Sequence, residues 1–450
     1  MHGHFSRVRF DQADRFSAVV ALQGRISVEA DHNEHTAILQ HYLRTLVTDL
    51  LGRHAWPADN AGFEVALVLD GADVEDLTIG AGRCYVEGVL VENPAPARFY
   101  DQPDARFTPR EHKLPDKYPY YVYGEVWERL VTFVEEPAIR DVALGAGGPD
   151  SSARTKVVWQ ARHGEQLTGA NVPKTVATAL KHWEAKVEPE LLGEPAGTLT
   201  VHVAAGKEDE LCALAPEAGY RGLENQLYRV EIHAGGALND GAAGATVASF
   251  KWSRDNGSVV FPVTGGAKGK VVTVANLGRD DRYSLDLGDW VECVDDASVL
   301  NGEPLALLKV IHIDPVDLVV TLDAAPEREF GSDPKLHPLL RRWDQQPPTR
   351  ADGAGNLVPG GAGNALEVAA GQIALEDGIS VSFAGGNYRG GDYWVVPARV
   401  GAEFEWPRDD AGLPLSRPPN GVRRSYVPLA LVTGPANGDV VDLRSKPFAP

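Results

Sequence analysis

Four histidines lie near the start of the chain, and carboxylates stand beside two of them. Imidazole and carboxylate groups are common zinc ligands, so these residue types suggest a metal site. The spacing argues against that site, because no HExxH pattern and no further ligand at a fixed distance follow. We therefore predict solvated residues at the start of a helix and no bound metal. The residues are His2, His4, His32 and His35, with Asp31 and Glu34 beside the second pair.

Acidic side chains gather in the segment GRDDRYSLDLGDWVECVDD, residues 278–296. They lack the 1, 3, 5 and 12 ligand spacing of a calcium loop. A glycosidase needs two carboxylates held across a sugar at a defined separation, which spacing along the chain does not specify. Because turns favour aspartate, we predict solvated carboxylates in β-turns. The six are Asp280, Asp281, Asp286, Asp289, Asp295 and Asp296.

Sequence motifs for a catalytic nucleophile or a phosphate site are absent from the chain. There is no GxSxG, no GxxxxGK followed by Ser or Thr, and no GxGxxG between a strand and a helix. Cys84, Cys212 and Cys293 are widely spaced and form no CxxC pair. This cysteine pattern predicts buried thiols in a reducing compartment. We expect no enzymatic activity and no cofactor.

Aromatic residues leave one binding alternative open. Exposed aromatic rings on β-sandwiches can stack on sugars or anchor protein interfaces, although most such rings fill cores. A carbohydrate-binding module would show a row of these rings at its surface. The candidates are Trp127, Trp252, Trp290, Trp343, Tyr393, Trp394 and Trp406.

The charge balance is strongly acidic. With 43 Lys and Arg against 63 Asp and Glu, the net charge of -20 disfavours nucleic acid and anionic membranes as partners. No stretch reaches the roughly 18 apolar residues of a membrane span, and the first 30 residues lack the apolar core of a signal peptide. We expect a soluble cytoplasmic protein without membrane insertion.

One helix near the start of the chain is strongly marked. Asp31 and Glu34 predict a capping box, and Gly52 predicts the end of the helix. Two adjacent apolar rows predict a broad apolar stripe that packs against a sheet or against copies of the helix itself. The rows are Ile38, Tyr42, Leu46 and Leu50, and Leu39, Leu43, Val47 and Leu51.

The rest of the chain predicts a mainly β, multi-domain protein with sandwich or barrel-like segments. A second helix is expected near residues 173–192. Asn256 and Gly257 predict a tight hairpin between two apolar strands. The predicted divisions are an arm and helix in 1–60, a β domain in 61–197, a second β domain in 198–350, a Gly-rich loop or linker in 351–365 and a C-terminal β segment in 366–450.

Several segments resemble a family encoded among the genes of phage-tail-like contractile injection particles. At the start these are FSRVRFD, LQGRISVEAD and ADHNEHTAILQHYLRTL, and further likeness follows in LENQLYRVEIH, FKWSRDNGSVVFPV, GGDYWVVPARV and YVPLALV. The resemblance implies a structural, non-enzymatic accessory at or around the baseplate of such a particle. It implies no catalytic residues. Expected partners are other particle subunits and copies of the chain, in an assembly that is released from the cell or retained in it.

The first 30 residues differ in charge from the rest of the chain. Four arginines against three acidic residues give them a net charge of +1, so residues 31–450 carry -21. We hypothesise that this arm lies on a neighbouring subunit, because complementary charge guides docking. The alternative is an arm folded back on its own first domain. The proposed assembly residues are Phe5, Arg7, Arg9, Phe10, Arg15, Phe16 and Arg25.

Three function classes therefore remain open from the sequence. A structural particle subunit, whose copy number of three or six is open, is the first. A carbohydrate-binding module of such a particle is the second. A cell-wall glycoside hydrolase is the third, and it requires two carboxylates that converge in a cleft.

Overall fold

Sheets make up most of the chain in the computed structural model, as the sequence predicts. The structure describes residues 1–71, 73–144, 150–169, 172–193, 197–203, 220, 222–239, 246–345, 349–350, 357–358, 362–400 and 404–444. Cys212 and most of the Gly-rich segment 351–365 lie outside these residues. Cys84 and Cys293 are free, buried thiols, and burial raises the pKa of each to about 12.

The front helix, Glu29–Leu51, follows an extended arm of residues 1–28. It begins two residues earlier than the predicted Asp31 cap, because Asp31 occupies the third helical position and its carboxylate accepts the Val28 N–H at 3.4 Å. Gly52 ends the helix with φ +91°, as predicted. Short helical turns in the first third of the chain are Gln12–Asp14, Phe99–Asp101, Pro137–Ile139 and Val142–Leu144.

A four-stranded sheet joins strands from the first half of the chain to strands near its C-terminal end. Its central strand Tyr120–Val131 pairs with Arg424–Val432 on one side and Arg154–His163 on the other, and Val440–Asp442 adds an edge. Both faces of the central strand are covered, which explains why its sequence is almost continuously apolar. Tyr120 and Val122 face one core, while Tyr121 and Tyr123 face a second core with Trp183.

Helical segments cover the outer face of this sheet where residues 173–192 predict a helix. They are Val176–His182, Trp183–Val187 and Glu188–Leu192. Two three-stranded sheets cover the other face through a shared core. One contains His54–Ala55, Gly82–Val86 and Val89–Asn93, and the other Val65–Asp70, Asp73–Ile79 and Ala97–Arg98.

The middle of the chain forms a sandwich of two sheets with a common core. A four-stranded sheet has the order Leu366–Glu367, Ser249–Ser253, Gln226–Ala234 and Tyr393–Ala398. The facing sheet has the order Gln372–Ala374, Ile379–Ala384 and Thr198–Val203. Two-stranded pairs are Gly236–Ala237 with Asn387–Tyr388 and Thr349–Arg350 with Leu357–Val358.

A closed six-stranded barrel is inserted between two paired strands of the sandwich. Its strand order is Val260–Lys268, Val271–Val274, Val319–Leu322, Leu307–Asp314, Trp290–Val294 and Leu339–Trp343. The strands before and after it pair through Ser249 and Glu367. Helix Asp296–Asn301 and the short turns Pro334–Leu336, Ala362–Asn364 and Asn437–Asp439 complete the described helices.

The predicted hairpin at residues 254–257 is wrong, although its turn is present. Asn256 and Gly257 have φ angles of +52° and +63°, the positive values that the sequence predicts. The strand before the turn pairs within the sandwich, whereas the strand after it pairs within the barrel. The turn is therefore the crossing from one body to the other. Strand pairing also crosses the predicted domain limits. Residues 366–450 supply strands to the sandwich and to the separate four-stranded sheet around Tyr120–Val131.

Candidate functional site

The front helix turns its leucines away from the body. Leu39, Leu43, Leu46 and Leu50, here called the leucine row, repeat at spacings of four, three and four residues. At about 100° per residue they lie within an arc of about 60°. Their exposed fractions are 48%, 62%, 54% and 73%, and Tyr42 beside them is 55% exposed.

The opposite side of the front helix contacts the body and is the less apolar one. Arg44 makes a two-point ion pair with Glu128, with N to O distances of 3.0 and 2.8 Å. Its backbone lies so close to Gly88 that a Cβ atom there would come within 2.3 Å of the Arg44 carbonyl oxygen. Among the apolar side chains of this helix, only Ala30 and Ile38 are buried. The predicted apolar stripe is thus present, but none of the residues that the structure describes covers most of it.

Such an arrangement is unfavourable for an isolated chain. Full burial of a leucine side chain is worth about 1.5 to 3 kcal/mol relative to exposure. A surface helix normally turns its apolar stripe toward the core. Contiguous exposed apolar patches mark interaction sites more often than accidents of composition. We therefore take the leucine row as the candidate functional site.

The arm divides into a docked part and an exposed part. Arg7 pairs with Glu405 at 2.9 Å, Asp11 pairs with Arg417 at 3.3 Å, and the Phe10 ring lies 5.6 Å from the His41 ring. Beyond Asp11 the arm is exposed, with Phe16 59% and Ile26 91% exposed, except at Val19, which is half-buried and donates its N–H to His35 Nδ1 at 3.4 Å.

Of the seven proposed assembly residues, Phe5, Arg7 and Phe10 are half-buried on this chain, and Arg9, Arg15, Phe16 and Arg25 are exposed. Arg7 docks on Glu405 of the C-terminal segment, and Phe10 lies beside His41 of the front helix. The exposed part, residues 15–28, stays available for a neighbour. Val20 and Leu22 add to its apolar surface, with exposed fractions of 76% and 69%.

A buried polar junction joins the start of the arm to the sandwich and the barrel. Glu231 receives His2 Nε2 at 2.7 Å, Arg229 Nε at 2.5 Å and Lys251 Nζ at 3.4 Å. Lys251 also binds both oxygens of Glu292 at 2.8 Å. Each carboxylate therefore has a cationic partner, which is the condition for burying charge at tolerable cost.

Backbone and aromatic groups complete the junction. Asn256 donates to the Gly3 carbonyl at 2.8 Å, so the turn that joins sandwich and barrel also holds the start of the arm. The Arg229 guanidinium lies 3.6 Å from the Tyr393 ring centroid, and Lys251 Nζ lies 4.4 Å from that of Trp343. These contacts explain how sandwich, barrel and arm are fixed to one another.

The junction shifts the pKa values of its members. Burial by itself would raise the pKa of Glu231, but Arg229, His2 and Lys251 outweigh it and hold that pKa well below its usual value. Removal from water and the nearby Arg229 hold the pKa of His2 well below its usual value, although 31% of its side chain remains exposed. Burial, followed by Lys251, lowers the pKa of His233 to about 4.

Comparison with known families places this chain. A family of unknown function (DUF6519) matches residues 1–191 and 195–434. The chain belongs to this family. Neither curated proteins nor solved structures gave a match. Membership of DUF6519 assigns no activity to this protein.

A possible metal site is already filled by an arginine. His54, Glu87 and Glu188 place ligand atoms within 4.8 Å of one another, the one such group found among the described residues. Arg53 lies between the two carboxylates, with Nε 2.6 Å from Glu87 and Nη2 2.8 Å from Glu188. A cation would have to displace this guanidinium. The prediction of solvated residues at a helix start is wrong for His2, which lies in the buried junction. The four histidines are spread over separate contacts, since His4 contacts Tyr283, and His32 and His35 lie on the front helix.

The acidic segment 278–296 is only partly as predicted. Asp280, Asp281 and Asp286 are exposed turn residues. The prediction of solvated carboxylates is wrong for Asp295 and Asp296, which are only 5% and 7% exposed. Asp295 caps a helix by accepting from Ser298 and also pairs with Arg328. Asp296 accepts from His337 at 2.8 Å. Burial of these two follows from partners that are distant in the sequence.

A further group of carboxylates lies beside the sandwich-to-barrel turn. Burial, followed by Asp344, raises the pKa of Asp255 to about 6, although Arg342 opposes the shift. Burial also raises the pKa of Glu376. Arginine binds each of these acids: Arg282 lies 2.6 Å from Asp255, and Arg254 lies 2.8 Å from Glu376 and 3.6 Å from Asp344. The group is a charge-paired network rather than an acid and base across a cleft.

The predicted sugar-stacking rings do not form a surface row. Four of the seven lie in cores or core contacts: Trp127, Trp252, Trp343 and Trp394 are between 0% and 6% exposed. Trp290, Tyr393 and Trp406 are half-buried.

Of the helices that the structure describes, none has the length and apolarity needed to cross a membrane.

Proposed function

We propose that this DUF6519 protein is a non-enzymatic structural subunit of a contractile, phage-tail-like injection particle, at or around its baseplate, and that it works by assembling with other subunits. One observation carries the assembly role. The leucine row and the exposed part of the arm together present apolar side chains that no described part of this chain covers. The particle itself is suggested by the resemblance of the opening segment to a family encoded with such particles.

The two rival functions have less support. A hydrolase needs a free acid and a free base across a cleft, whereas the carboxylates with raised pKa beside the turn are bound by arginines. A sugar-binding module needs exposed rings, and the candidate rings are buried or half-buried.

The test is incorporation into particles. Particles would be isolated by sedimentation from cells that make them, and the chain would be located by mass spectrometry and by difference density against a strain that lacks it. We expect the chain in intact particles. Particles of unchanged composition and density in the strain without the chain would overturn the proposal.

The exposed part of the arm can be tested in the same strains. Replacement of Phe16, Val20, Leu22 and Ile26 by serine keeps the docked residues 1–11, whereas deletion of residues 1–28 would also remove the contacts of His2 and Gly3 in the junction. We expect the serine variant to be made at normal levels and to be lost from particles. A matched control replaces four exposed apolar residues away from the arm by serine, and this variant should stay in particles. The four are Val142, Leu287, Val316 and Leu413.

A further inference from the structure

We propose that the leucine row is a homotypic contact, in which the front helix of a second copy of this chain packs against it. The inference rests on the proposed assembly role and names the partner for one surface. Two features of the front helix support a second copy over another partner, and a third favours binding at this surface.

The first feature is the spacing of the row. Leu39, Leu43, Leu46 and Leu50 alternate steps of four and three residues, the spacing of the seam in helix-to-helix packing. His32 and Thr36 continue the same positions toward the start of the helix, but they are polar. The apolar part spans three turns, about 17 Å at 1.5 Å per residue. A row of this shape fits the same row on another helix.

The second feature is charge. The chain carries -20, so two copies repel each other at most of their surfaces. The leucine row carries no charge, and Tyr42, Thr36 and Val47 on its two borders carry none either. Asp49 is the one exposed charged side chain near its edge. An uncharged seam has no complementary charge to offer a basic or acidic partner, but it matches itself.

The third feature is the way the helix is held. Arg44 and Glu128 form their ion pair on the body side, where the helix backbone also lies against Gly88. The row is therefore presented on a helix fixed by contacts of its other side. A fixed helix loses little conformational freedom on association, which favours binding.

The experiment compares two double variants of the full-length chain. Leu43→Asp with Leu46→Asp adds two charges inside the row. Gln40→Asp with Thr45→Asp adds the same charge at exposed positions of the same helix outside the row. Sedimentation equilibrium would be measured over a wide range of concentrations, and circular dichroism would check that both variants are folded.

We expect wild type and the control to reach a multiple of the 48.4 kDa chain mass, and the row variant to stay at 48.4 kDa. A wild-type chain that stays at 48.4 kDa throughout would overturn the inference. So would a row variant that associates as the control does.

Cross-linking gives a second readout that does not depend on tight association. Leu46→Cys lies near the middle of the row, and Thr45→Cys is the adjacent exposed control. In a Cys212→Ser background, a short bismaleimide reagent should join two Leu46→Cys chains but neither the Thr45→Cys control nor the background chain, in which Cys84 and Cys293 are buried. Equal yields from the two positions would contradict the specific contact.

Particle incorporation separates this inference from the proposed function. A chain that is monomeric in solution, and whose row variant is lost from particles, would show that the row binds a different subunit: the copy-to-copy contact would be wrong and the assembly role would stand. A chain that associates through the row but is absent from particles would leave the contact and overturn the particle role.

Discussion

The front helix and the polar junction distribute apolar and charged groups in opposite ways. The front helix leaves four leucines in water, whereas the junction removes Arg229, Glu231 and Lys251 from it. Each charged group of that trio has a partner within 3.4 Å on the same chain. The leucine row has no comparable apolar partner among the described residues. The junction is thus satisfied within one chain, whereas the described residues leave the leucine row of the front helix largely exposed.

Neutralising Glu231 should have the largest effect on stability. Glu231→Gln keeps the shape of the side chain but leaves Arg229 and Lys251 close together without the acid between them. Removing one partner of a buried ion pair costs about 3 to 5 kcal/mol of unfolding free energy. Denaturant unfolding followed by circular dichroism measures this loss. The matched control is Glu405→Gln at the more exposed Arg7 pair, for which we expect a change below about 1 kcal/mol. Equal losses in the two variants would contradict the account of the junction.

Acid should weaken the junction through His233. The pKa of this buried imidazole is about 4 in the folded chain against 6.5 for the free side chain, so the unfolded chain binds the proton first as pH falls. The neutral, buried imidazole contributes about 3 kcal/mol to the free energy of unfolding. This contribution is complete above pH 6.5 and is lost as the pH falls toward 4. We expect His233→Gln to lose less unfolding free energy than wild type between pH 7 and pH 4. His32→Gln, on the exposed side of the front helix, is the control and should follow wild type. An unchanged pH dependence in His233→Gln would remove this residue from the explanation.

The smallest effect is expected at the leucine row. In dilute solution, where copies separate, Leu43→Ser should change the unfolding free energy by no more than about 0.5 kcal/mol, because the side chain is already in water. Ile38→Ala on the same helix should cost about 2 to 4 kcal/mol, because Ile38 is 1% exposed. Thermal and denaturant unfolding would compare the two. A large loss in Leu43→Ser would mean that the row is covered within the chain.

Local elements were predictable where a short segment decides the conformation. The front helix, the helical segments over residues 176–192 and the positive φ angles of Asn256 and Gly257 all follow from neighbouring residues. The pairing partners of the strands were not predictable from the sequence. The two strands beside Asn256 look like a hairpin in sequence, but they pair in different bodies, with partners up to 118 positions away, as between Ser249 and Glu367.

The candidate site also has features that were predictable from the sequence and features that were not. The apolar spacing of Leu39, Leu43, Leu46 and Leu50 is visible in the sequence, but the direction in which it points is not. The junction gave no sequence signal, since Arg229, Glu231, Lys251 and Glu292 belong to strands whose alternation suggests ordinary surface positions. The buried state of Asp295 and Asp296 was missed for the same reason, because Arg328 and His337 are remote in the chain.

The sequence alone determined the β-rich class, the two helical regions, the acidic charge and the existence of an apolar row on the front helix. These depend on propensity, periodicity and composition, which act over a few residues. Only the tertiary structure decided that charges would be buried together and that the leucines would remain outside. Long-range strand pairing builds both the sandwich and the barrel and places the acids beside the bases. The Arg44 to Glu128 pair fixes which side of the helix meets the body.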